Sequence, residues 1–371
     1  MNKRILILVN HDLVIYNFRK ELVKELISEG FEVYVSSPDG DRIPELITMG
    51  CKVIKVKNIE RHGKNPFKEL KLLSEYKKLI KKLKPLCVLT YTIKPNIFGS
   101  IASDSYSIPC LSNITGLGSA VEKRSLLQHI TIQLYKYAFR KIHTVFFQNK
   151  ENMDFFINNK ISNLTNYELL PGSGVNLDEF KPLKYPDSGI IKFVFISRIM
   201  KEKGIDVFLE AAEYIKKKYP STEFHICGFC EENYEDKIKN YEENNIVIYH
   251  GMVKDIPKIL SNIHCTVHPT YYPEGLSNVL LESSACARPI ITTDRSGCRE
   301  VVTKKNGYLI YPNNTESLIE KIEKFIMLSN NEREQMGVLG RQLVEEQFDR
   351  KLVVNSYIEK IKEIEAMYND R

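Results

Sequence analysis

The sequence lacks the long apolar run that a signal peptide or a membrane span requires. After the basic residues Lys3 and Arg4, only residues 5–9 form a continuous apolar stretch, and polar residues follow from Asn10 onward. A helix that spans a bilayer needs about 20 consecutive apolar residues. We therefore predict a protein that stays in the cytoplasm.

Paired cysteine motifs are also scarce. The eight cysteines are spread through predicted strands and helices, which is typical of a protein in a reducing compartment. Only Cys227 and Cys230 form a CxxC pair, and neither a second pair nor paired histidines lie nearby. We predict a strand end that turns at Gly228 there, and no zinc or redox site.

Two further motifs are incomplete. Gly116 and Gly118 lack the third glycine and the acidic residue about 20 positions later that a dinucleotide-binding fingerprint needs, so the pattern argues against a dehydrogenase. Residues 39–41 spell DGD, a spacing that can hold a cation, but aspartate and glycine are also favoured in turns. We predict a turn at this position and no metal site in the protein.

Positive charge is concentrated in the first half of the chain. Residues 1–185 contain 28 Lys and Arg against 18 Asp and Glu, a net charge of +10, whereas the whole chain carries +6. The lysines that contribute most are Lys68, Lys71, Lys77, Lys78, Lys81, Lys82 and Lys84. Such runs form either solvated helix faces or a patch for anionic lipid headgroups. No nucleic acid partner is predicted, because no recognised binding module accompanies the charge.

A chain of 371 residues exceeds what one hydrophobic core usually organises, so we predict two domains. Short apolar runs alternate with helical periodicity in both halves, which is the βαβα pattern of a parallel α/β sheet. The predicted first domain spans residues 1–180, and a linker rich in proline and poor in apolar residues follows at 181–189. The second domain spans residues 186–350, and residues 351–371 form a helix that is expected to pack on the first domain.

Residues 273–293, PEGLSNVLLESSACARPIITT, carry the first functional pattern. Glu274 lies in a predicted loop after a strand, Gly275 permits unusual dihedral angles, and Asn278 is expected to cap a helix that runs through Ala287. Backbone amides at a helix start attract anions, and Glu282 lies near the same end. A sugar diphosphate site, a surface loop with two unrelated glutamates, and a glycosidase pair all remain possible interpretations.

Residues 193–204, FVFISRIMKEKG, carry the second pattern. Arg198 and Lys203 follow a predicted parallel strand and precede a glycine and a helix. Two cations at the carboxyl end of such a strand suit a diphosphate, because open α/β sheets bind ligands at that edge. The alternative interpretation is a pair of solvated side chains.

Together the two stretches resemble the retaining GT-B glycosyltransferases of family four, also called group one, closely over the second domain and loosely over the first. The resemblance implies two Rossmann-like domains that face each other across a cleft. It implies that Arg198 and Lys203 grip the diphosphate of a nucleotide sugar, that Glu274 contacts hydroxyls of the donor sugar, and that Glu282 contacts the ribose. The other donor-binding residues it implies are Gly275, Leu276, Ser277 and Asn278, through their amides, and Val253 and Lys254 near the nucleobase.

The first domain departs from the glycine-rich loop that family members often have after the first strand, since residues 10–13 read NHDL. The stretches IYNFRKEL, TIKPNIFG and ITGLGS nevertheless resemble a subgroup that extends undecaprenyl-diphosphate sugars and includes N-acetylgalactosaminyltransferases. This resemblance implies a UDP-sugar donor such as UDP-GalNAc and a polyprenyl-diphosphate-linked acceptor. Together with the positive charge of the first domain, such an acceptor leads us to expect a peripheral protein on the inner face of the cytoplasmic membrane, bound to its anionic surface. The candidate residues on the acceptor side are His11, Tyr16, Arg19, Lys94, Thr115 and Gly116.

The resemblance further implies that the acceptor hydroxyl attacks from the face of the leaving group and that anomeric configuration is retained. Arg198, Lys203 and the helix start would neutralise charge on the departing phosphate, so no separate base is needed. His11 is the first candidate if a base exists. Two alternatives are an epimerase or hydrolase that acts on the nucleotide sugar alone and a nucleotide-sugar-binding regulator without turnover. The intact Arg198, Lys203 and Glu274 argue against the regulator.

Sugar transfer is predicted to proceed at its full rate in EDTA, because the sequence offers cationic side chains and no credible metal site. The measurement is transfer activity of the purified protein with and without chelator. Loss of activity in EDTA that Mn²⁺ or Mg²⁺ restores would contradict the metal-free mechanism.

Overall fold

The computed structural model describes residues 3–59, 66–117 and 125–369. The chain divides into two compact units: Met1–Gly174 together with Arg350–Arg371, and Val175–Asp349. Each unit contains a parallel β-sheet, as the sequence predicts. None of the described helices is both long enough and apolar enough to cross a membrane.

The sheet of the first unit has seven described strands in the order β3-β2-β1-β4-β5-β6-β7, and every pair of neighbours is parallel. The strands are β1 Arg4–Leu8, β2 Glu32–Ser37, β3 Lys52–Lys55, β4 Cys87–Tyr91, β5 Cys110–Ile114, β6 Thr144–Phe147 and β7 Tyr167–Leu169. Every residue of β4, β5 and β6 is buried, as expected of central strands that helices cover on both faces.

Helices cover both faces of this sheet. They are α1 Leu13–Phe18, α2 Lys20–Ser28, α3 Ile43–Thr48, α4 Pro66–Leu83, α5 Ser100–Asp104, α6 Leu126–Ala138 and α7 Lys150–Asn158, with a π-helical turn at Pro95–Gly99 before α5. The sequence predicts one helix over residues 16–27, whereas the structure has α1 and α2, which meet at Arg19. Arg19 breaks the helix because its backbone leaves the helical region, with φ −138° and ψ 10°.

The second unit has a six-stranded parallel sheet in the order β10-β9-β8-β11-β12-β13. Its strands are β8 Ile191–Ile196, β9 Thr222–Cys227, β10 Ile248–Tyr249, β11 Cys265–His268, β12 Ile290–Thr293 and β13 Gly307–Ile310. Its helices are α8 Ile205–Lys218, α9 Glu235–Glu243, α10 Ile256–Leu260, α11 Asn278–Ala285, α12 Thr315–Met327 and α13 Asn330–Gln347. Because β8 and β11 are neighbours, the loops that follow them meet at one edge of the sheet.

The last helix, α14 Arg350–Asn369, belongs to the first unit. Its buried face joins the core of α2 and the sheet, and the Tyr357 hydroxyl accepts a 2.8 Å hydrogen bond from the Asn113 side chain on β5. Arg350 fixes the start of the helix by donating to the Gly174 carbonyl and pairing with Glu21 at 2.9 Å.

The boundary between the units lies earlier than the sequence suggests. The predicted first domain extends to residue 180, but Val175 and Phe180 are buried in the core of the second unit. The predicted linker is also held there. The Arg288 guanidinium, which is fully buried, donates to the carbonyls of Leu183 and Lys184 at 3.1 and 2.8 Å. Residues 181–189 are therefore part of the second unit and do not act as a tether.

Arg288→Met is predicted to destabilise the protein by about 2–4 kcal/mol, because it leaves several buried carbonyl oxygens without their donor. The carbonyl of Leu260 also loses a 2.8 Å hydrogen bond. Urea unfolding followed by circular dichroism measures the change. Lys184→Met, which alters an exposed side chain of the same segment, is the matched control and is expected to leave the curve nearly unchanged. Identical curves for the two variants would contradict the proposed anchoring by Arg288.

Candidate functional site

The candidate site of the second unit is built from the loops that follow β8 and β11. A turn at Lys201–Lys203 leads into α8, and the Tyr271 amide donates a 2.9 Å hydrogen bond to the Glu202 carbonyl. Gly204 has φ +79°, and a Cβ at this position would lie 2.2 Å from the Pro269 carbonyl oxygen. Only glycine allows this close approach, which places Lys203 against the loop after β11.

Lys203 and Glu274 form an ion pair across these two loops. Their side chains are 8% and 17% exposed, so the pair is largely removed from water. Burial raises the pKa of the Glu274 carboxyl, but the charge and hydrogen bond of Lys203 lower it further, and the pKa lies below its ordinary value. Glu274 is therefore ionised at neutral pH.

Arg198 lies beside this pair and forms its own ion pair with Glu231, in the loop after β9. The ring of Tyr272 lies close to both cations: its centroid is 5.6 Å from the Arg198 guanidinium carbon and 4.8 Å from the Lys203 ammonium. An aromatic face stabilises such cations by about 0.5–2 kcal/mol. The site thus presents two cations, each matched by a carboxylate that an anionic ligand could displace.

His268, the last residue of β11, adds a neutral polar group next to the ion pair. Its side chain is buried, and neither ring nitrogen has a hydrogen-bond partner among the described residues. The pKa of His268 is lowered to about 4, mainly by burial and then by the positive charge of Lys203. The imidazole is neutral at pH 7 and can donate one hydrogen bond and accept another.

The loop that carries Glu274 is held by the loop after β12. Gly297 has φ +88°, and a Cβ there would lie 2.7 Å from the Glu274 Cβ. The Ser277 amide donates a 2.7 Å hydrogen bond to the Gly297 carbonyl, and the Leu276 side chain is buried in the core. The sequence predicts that the Ser277 amide binds phosphate, but in this structure that donor is already engaged by Gly297.

The helix that follows has its N-cap one residue earlier than predicted. Ser277 is the N-cap residue, and Asn278 is the first residue of α11, which ends at Ala285 and not at Ala287. The Asn278 Oδ1 atom is buried without a partner among the described residues, so it remains an acceptor at the helix start. Glu282 follows in α11 with a half-buried side chain. Gly275 and Leu276 precede the helix in the same loop, both buried.

The two residues predicted near the nucleobase, Val253 and Lys254, differ in the cavities that they line. Val253 lines a cavity of about 140 Å³ together with Arg198, Gly228 and Met252. Lys254 instead lines a different cavity, of about 620 Å³, whose walls include His225 and His250. Val253 lines this larger cavity as well, but of the two residues only Val253 shares a cavity with Arg198.

In the first unit, four candidate residues lie at the carboxyl ends of three neighbouring strands. His11 follows β1, Lys94 follows β4, and Thr115 and Gly116 follow β5. The His11 side chain is 42% exposed, and Lys94 pairs with Glu69 at 2.6 Å. The sheet order therefore brings these residues to one edge, where α/β sheets bind ligands. Gly118 and Ser119 of the same predicted motif lie outside the described residues.

Tyr16 and Arg19, the other two candidate residues on the acceptor side, differ in their burial and contacts. Tyr16 is half-buried in α1 and lies under the Arg42 guanidinium, whose carbon is 4.7 Å from the ring centroid. Arg19 is buried, with its guanidinium carbon 5.1 Å from the centroid of Tyr91, and it donates to the Phe18 carbonyl. Arg19 therefore packs in the core of the first unit, at the break between α1 and α2, and its role on the acceptor side stays a prediction.

The DGD sequence at 39–41 has a structural explanation. Asp12 is fully buried and accepts hydrogen bonds from the amides of Leu13 and Arg42 at 2.9 and 2.6 Å. A Cβ on Gly40 would lie 2.2 Å from the Asp12 carboxylate, so glycine is required for this contact. Asp39 pairs with Lys55. Over the ranges that the structure describes, no group of three His, Cys, Asp or Glu side chains could hold a metal ion.

Cys227 and Cys230 form the CxxC pair, for which the sequence predicts neither a zinc site nor a redox site. In the structure both are free thiols. Gly228 turns the chain after β9 with φ +148°, and a Cβ there would lie 1.8 Å from the Ser197 carbonyl oxygen. This close approach places the loop after β9 against Arg198, and it thereby brings Glu231 into the site.

Sequence reasoning missed Glu231, Tyr272, His268 and Gly297. Glu231 follows a strand that neighbours β8, so the predicted strand order could have identified it. Tyr272 and His268 lie in the segment just before Glu274 and carry polar groups at a strand end. Gly297 gave no signal, because its role depends on a contact with a loop about 20 residues earlier in the chain.

Comparisons with known proteins identify similar chains over both units. Residues 178–343 match the family model described as glycosyl transferases group 1, and residues 4–149 match the model described as glycosyl transferase 4-like. The two models together span most of the chain.

Two curated relatives and two solved structures are similar over most or all of the chain. The N,N'-diacetylbacillosaminyl-diphospho-undecaprenol alpha-1,3-N-acetylgalactosaminyltransferase of Campylobacter jejuni is 28% identical, over 93% of this chain and 94% of the relative. An Escherichia coli UDP-Gal:alpha-D-GlcNAc-diphosphoundecaprenol alpha-1,3-galactosyltransferase is 26% identical, over 69% and 70%. A glycosyltransferase from Rickettsia africae superposes with a TM-score of 0.80 at 20% identity, covering 98% of both chains. Anabaena HepE in complex with UDP and glucose gives 0.78 at 17%, covering 98% and 100%.

Arg198→Ala and Glu231→Gln are predicted to change the affinity for UDP in opposite directions. The first variant removes a charge-assisted hydrogen bond to an anion, worth about 1.5–3 kcal/mol, so the dissociation constant should rise on the order of 10- to 100-fold. The second variant removes the carboxylate that competes for Arg198, a partly exposed pair worth up to about 1 kcal/mol, so affinity should improve by up to about fivefold. Isothermal titration calorimetry measures both. Weaker binding by Glu231→Gln would mean that Glu231 positions Arg198 and does not compete with the ligand.

Proposed function

Because this chain belongs to the group 1 glycosyltransferases, an enzyme family with the GT-B fold, we propose that it transfers a sugar from a UDP-sugar to a lipid-linked sugar. The acceptor would be a hydroxyl of a sugar carried on a polyprenyl diphosphate. The product would serve the synthesis of a surface polysaccharide or glycan. The observation that carries the proposal is the meeting of Arg198, Lys203 and Glu274 at the carboxyl ends of β8 and β11.

On the donor side, the two cations suit the diphosphate of a nucleotide sugar. A diphosphate would displace Glu231 from Arg198 and Glu274 from Lys203, and each cation would then face a phosphate oxygen. The released Glu274 carboxylate becomes an acceptor for hydroxyls of the donor sugar. UDP is the proposed nucleotide, because the Escherichia coli relative is named for UDP-Gal and the Anabaena structure contains UDP. N-acetylgalactosamine is the proposed sugar, following the name of the Campylobacter relative.

The proposed chemistry is departure of UDP from the anomeric carbon with retention of configuration. Negative charge develops on the leaving phosphate oxygen, and preorganised cations in a site with little water stabilise it strongly. Arg198 and Lys203 supply this stabilisation, and the first turn of α11 adds the positive end of a helix dipole. The acceptor hydroxyl would pass its proton to the departing phosphate, which makes a metal ion and a separate base unnecessary.

On the acceptor side, we propose that the edge formed by His11, Lys94, Thr115 and Gly116 receives the diphosphate-linked sugar. Lys94 is the cation at this edge, although Glu69 pairs with it in this structure. Both curated relatives are named for undecaprenyl-diphosphate-linked acceptors, which supports a membrane-borne substrate. The lysines of α4 would attract the first unit to the anionic inner face of the cytoplasmic membrane, by about 1 kcal/mol for each cation near the surface.

The experiment that tests this function is a transfer assay with a panel of UDP-sugars and a short-chain polyprenyl-diphosphate sugar. Arg198→Ala should lower turnover by about 10²- to 10³-fold, since it removes stabilisation of charge formed in the transition state. Lys218→Ala is the matched control, because Lys218 is also ion-paired but lies at the far end of α8. Nuclear magnetic resonance of the product gives the anomeric configuration. Free sugar or a C2-inverted nucleotide sugar without any transfer would instead identify a hydrolase or an epimerase.

A further inference from the structure

Helix α6 in the first unit exposes a continuous apolar stripe. Its members are large aliphatic or aromatic side chains, two of them adjacent at the start and the others three or four residues apart: Leu126, Leu127, Ile130, Leu134 and Tyr137. Residues at this spacing lie on one face of a helix, and the stripe is about 17 Å long at 1.5 Å per residue. The adjoining face is buried through Thr131, Tyr135 and Ala138. The stripe is therefore a second apolar face that the core of the first unit does not use.

The stripe lies on a well-formed helix in a cationic stretch. The Ser125 hydroxyl caps α6 by accepting from the Gln128 amide at 3.2 Å. Residues 123–150 contain six Lys and Arg and no Asp or Glu, and two of these cations, Arg140 and Lys141, pair with Asp104 in α5. A helix with an apolar face, cationic flanks and no acidic residue is typical of segments that lie in the headgroup region of an anionic bilayer.

The position of α6 relates the stripe to the proposed acceptor edge. The helix connects β5 to β6, which are parallel, so it runs back from the carboxyl edge of the sheet towards the amino edge. Leu126 and Leu127 at its start therefore lie towards the edge that carries Thr115 and Gly116.

The lysine-rich helix packs on the same face of the sheet. The buried side chains of α4, Leu72 and Tyr76 among them, share one core cluster with Tyr135 of α6. Lys78, Lys81 and Lys82 of α4 are exposed. The same side of the sheet thus presents an apolar stripe and exposed cations, and the lysines lie towards its amino edge because α4 ends just before β4 begins. Apolar and cationic side chains on one side of a protein are the combination that an anionic lipid surface attracts.

We propose that the apolar stripe of α6 inserts into the hydrocarbon boundary of an anionic membrane and holds the acceptor edge of the first unit at the lipid surface. This inference rests on the proposed lipid-linked acceptor and names the surface through which the enzyme reaches it. Insertion of the stripe provides the part of membrane binding that salt does not screen, whereas the lysines of α4 provide the part that salt weakens.

The sequence contains no tryptophan, so a single introduced indole reports its own surroundings. Ile130→Trp places the indole in the middle of the stripe, at a position that is 47% exposed. Its emission is expected to shift to shorter wavelength with vesicles of phosphatidylcholine and phosphatidylglycerol, and brominated lipid should quench it. Met327→Trp, at an exposed position of the second unit, is the matched control and should show neither effect. An unchanged emission of Ile130→Trp in vesicles would overturn the proposal.

The combined variant Leu126→Ser, Ile130→Ser, Leu134→Ser tests whether the stripe is needed. It should reduce vesicle binding at high salt on the order of tenfold, with UDP affinity and the melting temperature unchanged, because the three side chains are exposed. Tyr311→Ser with Met327→Ser removes comparable exposed apolar surface from the second unit and should bind vesicles like wild type. Replacing Lys77, Lys78, Lys81 and Lys82 with glutamine should weaken vesicle binding at low salt and leave vesicle binding at high salt unchanged. Equal binding of the serine variant and wild type at high salt would contradict the proposal.

Two more measurements distinguish membrane insertion from self-association of the stripe and from failure of the proposed function. If wild type is a dimer in lipid-free buffer and the serine variant is a monomer by sedimentation velocity, the stripe is an interface between copies and the proposal is overturned. Transfer to a polyprenyl acceptor embedded in vesicles should fall in the serine variant, while transfer to a water-soluble short-chain acceptor stays at the wild-type rate. If wild type transfers sugar to neither acceptor, the proposed function fails, whatever the vesicle binding shows.

Discussion

The ion pair between Lys203 and Glu274 is the constraint on which the candidate donor site depends. It joins the loop after β8 to the loop after β11, and the close approach of Gly204 to Pro269 brings the two loops near enough for it to form. A largely buried carboxylate without this cation would be costly, by several kcal/mol. The pair therefore fixes the positions of both side chains before any ligand binds, and Gly297 fixes the Glu274 backbone from the other side.

The same arrangement explains why the repulsion between two neighbouring cations does not destabilise the site. Arg198 and Lys203 would repel each other if both were bare, but each is next to a carboxylate and both lie near the ring of Tyr272. Binding of the proposed diphosphate would then give each cation a phosphate partner, and the two displaced carboxylates would need hydrogen bonds from water or from hydroxyls of the ligand. This exchange favours ligands that carry at least two negative charges, because a single charge would replace only one of the two carboxylates.

The sequence predicted those parts of the fold and site that depend on local pattern. Alternating apolar strands and amphipathic helices indicated two parallel sheets, and a strand followed by cations or glutamates indicated the edge where Arg198, Lys203 and Glu274 meet. Contacts between segments that are distant in the chain could not be predicted from local sequence pattern. Arg19 turns inward because a helix breaks at that residue, and the Ser277 amide is engaged because Gly297 happens to lie beside it. Lys254 does not line the cavity of Arg198, although its neighbour Val253 does.

The first unit is formed from two separate stretches of the chain, and this determines the order in which the two units can fold during synthesis. Its core includes Val353, Tyr357 and Ile361 of α14, and Arg350 anchors that helix on the Gly174 carbonyl. These residues leave the ribosome after the whole of the second unit, whose core is continuous in the chain. Synthesis therefore completes the second unit first, and the parts of the first sheet and of α2 that α14 covers stay exposed until this helix is made. During that interval the nascent chain is most exposed to chaperones and to aggregation.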